Sequence, residues 1–77
     1  MSKEKIIDKV FYRTLLPLVN DKVILDILLS YADYRIETLR TLLETNKDPN
    51  RILEIQGAIL ELRRLYTLRD ETLKGAE

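Results

Sequence analysis

A chain of 77 residues with 13 basic and 13 acidic side chains makes at most one small domain, and its balanced charge argues against general electrostatic affinity for nucleic acid or an anionic membrane. It has no cysteine and no histidine, which excludes disulfides, the usual zinc sites and the familiar nucleophile–base pairs. A domain this small buries only about 60–65% of its unfolded surface, and small scaffolds usually gain stability from a disulfide, a metal or association. Association is the route these residues leave open, as a homo-oligomer or on a larger protein.

No apolar run reaches the roughly 18 residues that a membrane-spanning helix needs. The opening segment, Met1 to Asp8, contains acids and no small-residue cleavage site, so no secretory signal is expected and a cytoplasmic location is.

In the first segment Ser2 is a candidate N-cap, and Ile6, Ile7, Val10, Phe11 and Leu15 recur at helical spacing. This predicts a short helix over about 3–15. Pro17 removes a donor and disfavours α geometry at Leu16, so the helix is expected to end or kink there, with Leu18 and Val19 in a connection. Asn20 or Asp21 then caps a second helix over about 21–45. Its seam is Leu25, Leu29, Ala32, Ile36, Leu39 and Leu43, stepping by three and four. Val23, Ile24, Ile27, Leu28 and Tyr31 flank that seam, so the first half is apolar on more than one side and calls for more than one neighbour.

Asn46-Lys47-Asp48-Pro49-Asn50 is the strongest punctuation, with Asp48 as N-cap and Pro49 at the first helical position. A third helix follows over about 49–73. A connection this short between long helices implies an antiparallel helical hairpin. Ile52, Ile55, Ile59, Leu62, Tyr66 and Leu73 carry a heptad that fails at Arg69, while Leu53, Ala58, Leu60, Leu65 and Leu68 widen the apolar face. Gly75 and the residues after it are expected to fray. Together these predict an all-α, single-domain chain, 1–77, in which a short N-terminal helix packs on a long antiparallel hairpin.

Chemistry is thinly supplied. Asp26, Asp33 and Glu37 share a stripe, but helical di-metal sites pair such acids with histidine, and a solvated face reads the same way. With Gly57 and Gly75 the only glycines there is no phosphate loop. No enzyme activity, cofactor, metal or small-molecule substrate is expected. Gly57 after Gln56 sits at the edge of the broad apolar face, either as a tolerated surface glycine or to let another backbone approach. Leu28, Tyr31, Gly57, Leu60, Leu65, Tyr66 and Leu68 are therefore the candidate protein interface, tyrosines being suited to margins where the ring is buried and the hydroxyl stays wet. Arg63, Arg64 and Arg69, near Tyr66, give an alternative: a helical regulator contacting nucleic acid. Glu61, Asp70 and Glu71 interrupt that patch, and Glu61–Arg64 and Glu37–Arg40 also suit surface pairs.

The stretch from Asp48 to Leu65, with its Gln56-Gly57 step and Leu62-Arg63-Arg64-Leu65, resembles the second half of small helical proteins encoded by tailed bacteriophages. That resemblance implies a virion or assembly factor, or a phage protein acting on a host target, located in the virion or the host cytoplasm. It carries over no binding residue. The expected function is interaction: a structural or assembly component, or a small regulator binding another protein through apolar helix faces.

Overall fold

The structure is a computed structural model that describes residues 3–77, with side chains from Asp8 onward. The capping role expected of Ser2, and the side-chain roles of Ile6 and Ile7, lie outside the described residues. All regular structure among the described residues is helical: α1 (Lys3–Val19), α2 (Lys22–Thr45), α3 (Pro49–Arg63), a 3-10 turn (Arg64–Thr67) and α4 (Leu68–Gly75). No described helix is long and apolar enough to cross a membrane.

The two expected helix starts are made by the residues that signalled them. Asp21 Oδ1 accepts the Ile24 N–H at 3.1 Å, so α2 begins on an aspartate cap. Asp48 is extended (φ −79°, ψ 116°), its side chain accepts from the Asn50 N–H at 3.0 Å, and Pro49 opens α3. Asn46 Oδ1 in turn accepts the Asp48 N–H at 3.2 Å, which fixes the connection ahead of the cap.

Two expected boundaries are corrected. α1 does not stop near Leu15 but runs through Pro17 to Val19. Pro17 falls in the last turn, where its missing N–H frees one carbonyl on an exposed side, and the Asn20 N–H still bonds the Leu16 carbonyl at 2.9 Å. The third helix is not continuous to Leu73. A 3-10 residue advances about 120° rather than about 100°, so a four-residue turn shifts the side-chain phase by about 80°. Beyond the turn Arg69 is exposed and Thr72 is buried. The heptad failure at Arg69 is the sequence signature of this break.

The chain forms two compact units, one up to Ile27 together with Thr67–Glu77, the other Leu28–Tyr66. In the first, α4 packs on α1. Tyr12 donates from its hydroxyl to Glu71 Oε2 at 3.0 Å, and Arg13 Nε donates to the Ala76 carbonyl at 3.3 Å, a cation at a helix C-terminus. Among the described residues Val19 and Thr72 are its buried ones, and the Thr72 hydroxyl finds no partner there. The expected fraying of Gly75 is also corrected: Gly75 is half-buried under the Tyr12 ring, where any side chain would overlap it. In the second unit Ile36 and Leu39 of α2 and Ile55 and Ile59 of α3 form one buried cluster, with Leu43 and Leu62 packed against it. These are the seam residues expected of each helix.

The two glycines give opposite predictions. A Cβ on Gly57 meets nothing within 4 Å, so Gly57→Ala should raise stability by about 1 kcal/mol through helix propensity. Gly75→Ala, favourable by propensity alone, should lower the thermal midpoint because the methyl displaces the Tyr12 ring. Thermal unfolding of the two variants, followed by circular dichroism, checks both signs.

Candidate interaction groove

Helical spacing collects two rows of side chains in the Leu28–Tyr66 unit. α2 presents Asp33, Ile36, Glu37, Arg40 and Leu43. α3 presents Gln56, Ile59, Leu60 and Arg63, and the 3-10 turn adds Tyr66. Between the rows lie two recesses. The larger, about 360 Å³, is lined by Arg40, Leu43, Gln56, Ile59, Leu60 and Arg63. The smaller, about 200 Å³, is lined by Asp33, Ile36, Glu37, Arg40, Arg63 and Tyr66. Arg40 and Arg63 line both, so the two form one groove with a guanidinium from each helix.

The acids of the smaller recess already have partners. Glu37 Oε1 pairs with Arg40 Nη1 at 2.9 Å, one turn along α2. The Tyr66 hydroxyl donates to Asp33 Oδ1. That hydrogen bond first, then burial and the Asp33 charge, hold the Tyr66 phenol above its ordinary pKa of 10.0, with Arg40 and Arg63 pulling it down. Arg63 forms no ion pair among the described residues. Among the described residues no acid lines the larger recess, whose lining combines Leu43, Ile59 and Leu60 with Gln56 and two cations.

The expected interface residues fall into several settings. Leu60 lines the larger recess and Tyr66 the smaller, and both are exposed. Tyr31 is exposed, and Gly57 is exposed with open space beside it, so no backbone approaches it here. Leu28, Leu65 and Leu68 are half-buried, Leu68 in the unit with α1 and α4. Of the expected basic patch, Arg64 pairs with Glu61 at 3.5 Å, as its spacing suggested. Arg69 belongs to the first unit, where it lines a recess of about 400 Å³ with Val19, Asn20, Lys22, Leu25 and Asp26. Among the described residues no acids gather in a group of three that could hold a metal. Arg40 and Leu43 were not foreseen beside Leu60, because their meeting depends on how α2 and α3 are registered. Comparison with protein-family models, with curated proteins and with solved structures finds no match to this chain.

The Tyr66–Asp33 contact has a pH consequence whose sign is fixed. Folding raises the phenol's pKa, so the folded chain holds that proton more tightly than the unfolded one. The stability it brings is complete below pH 10.0 and is lost as pH rises through the folded-state value. Tyr66→Phe should delete a phenolate step above pH 10.0 in an ultraviolet titration.

Proposed function

We propose that this chain is a non-enzymatic protein-interaction module, an assembly component or small regulator that self-associates through its exposed apolar helix faces. Its Leu28–Tyr66 unit is read as an antiparallel helical hairpin, and the whole chain as one helical domain in the assembled state. The observation that supports this is the balance of apolar side chains. Among the described residues only Val19, Ala32, Ile36, Leu39, Ile55 and Ile59 are buried hydrophobics. Large ones stay in water: Val23 is 69% exposed, Ile27 65%, Leu53 65% and Leu60 62%.

Single exposed leucines are ordinary, but repeated ones at helical spacing mark contact surfaces. Val23 and Ile27 are four apart on α2, and Leu53 and Leu60 are seven apart on α3, so each pair shares a face. A second copy is the nearest cover for such faces in a chain that has no disulfide to stabilise it. The resemblance to small phage-encoded helical proteins accords with an assembly role. The alternative, a nucleic-acid-binding regulator using Arg63, Arg64 and Arg69, has less support, since Arg64 is matched by Glu61.

Ile27→Glu and Leu53→Glu test this reading. Both positions are solvated in the single chain, so each variant should keep its helical circular dichroism. At least one should elute later than the parent on size-exclusion chromatography, because a buried glutamate opposes association. Unchanged elution of both variants would oppose the proposal.

A further inference from the structure

We propose that the groove between α2 and α3 is a docking site for an acid-bearing amphipathic helix of a partner protein, whose apolar side chains enter between Leu43, Ile59 and Leu60 while its carboxylates meet Arg40 and Arg63. This deepens the interaction reading by naming a partner's chemistry, and it rests on that reading.

Three observations carry it. The first is shape and polarity: a recess of about 360 Å³ with aliphatic walls, open along two turns of α3 from Gln56 to Arg63. Seven residues of helix rise about 10 Å, the span of an i, i+3, i+7 set of anchors on a docked helix. The second is charge. Both guanidinium groups lie on the rim of this recess and no acid lines it. Arg40 is already bridged to Glu37, which holds its side chain in place, while Arg63 has no ion pair among the described residues. An arginine takes a carboxylate bidentately, so an incoming acid gains a charge-assisted pair without breaking one at Arg63.

The third is what the neighbouring acids exclude. Glu37 and Asp33 line the adjoining recess that shares both arginines. A run of phosphates following the groove would meet those carboxylates, whereas one or two partner carboxylates confined to the arginine rim would not. An aliphatic floor also gives a phosphate backbone nothing to bury.

The test uses the full chain as bait for a displayed library of amphipathic peptides, with leucine at helical spacing and the other positions random. The expected winners are enriched in Asp and Glu beside the leucines. By fluorescence anisotropy a synthetic winner should bind about tenfold more weakly when its acids become Asn and Gln, and equally so to Arg63→Glu. Arg63→Gln should fall between the parent and the reversal. Arg63 is exposed and forms no ion pair among the described residues, so both variants should keep the parent's circular dichroism.

Winners without acid enrichment, winners held equally by Arg63→Glu, or no winners would each overturn the groove assignment while leaving self-association standing. A single-stranded oligonucleotide that displaced the peptide with the same Arg63 dependence would overturn it in favour of a phosphate ligand. Loss of the oligomer in Arg63→Glu would make a second copy the occupant and overturn the separate partner. Self-association fails on its own measurement, the mass of the parent chain, whatever the peptides do.

Discussion

The cluster of Ile36, Leu39, Ile55 and Ile59 is the contact on which the Leu28–Tyr66 unit depends. Each helix gives it two residues at a spacing of three or four, so the cluster uses one narrow stripe of each. Several large apolar side chains outside that stripe stay exposed. On α3 the surplus is Leu53 and Leu60, on the exposed side. On α2 within this unit it is Tyr31, Tyr34 and Leu42. Among the described residues the ion pairs of this unit, Glu37–Arg40, Arg51–Glu54 and Glu61–Arg64, are all local and solvated, and such pairs hold little stability. Hydrophobic burial is the dominant stabilising term in folding, and this unit uses it sparingly.

The other unit is held differently. α4 is only eight residues long, too short to be stable as an isolated helix, so packing on α1 must maintain it. Tyr12 takes part in this: its ring covers Gly75 and its hydroxyl reaches Glu71. Arg13 completes the attachment at the last turn. A small glycine under an aromatic ring is a close fit, and it lets the last turn of α4 lie against α1.

Local chemistry made much of this legible in advance. Asp21 and Asp48-Pro49 are caps that act within a few residues of themselves, so both helix starts were readable. The α2 seam was readable because Ala32, Ile36 and Leu39 lie on a single period of 3.6. Four features were not. Pro17 reads as a terminator unless one knows that the helix has only two residues left to run. The 3-10 turn leaves a trace at Arg69, but a polar residue in a heptad does not say whether the helix breaks or an arginine is tolerated. The groove requires Arg40 to lie near Leu60 and Arg63, and α2 and α3 could slide by a turn without disturbing either pattern. The Asp33–Tyr66 pairing is hidden for the same reason.

The proposed function rests on what the small core leaves uncovered, and the mass of the chain in solution tests it most directly. Light scattering across a dilution series should give a mass well above 9.1 kDa at high concentration, falling toward 9.1 kDa only on strong dilution. A folded chain of 9.1 kDa at every concentration would contradict self-association and mean that Val23, Ile27, Leu53 and Leu60 remain in water.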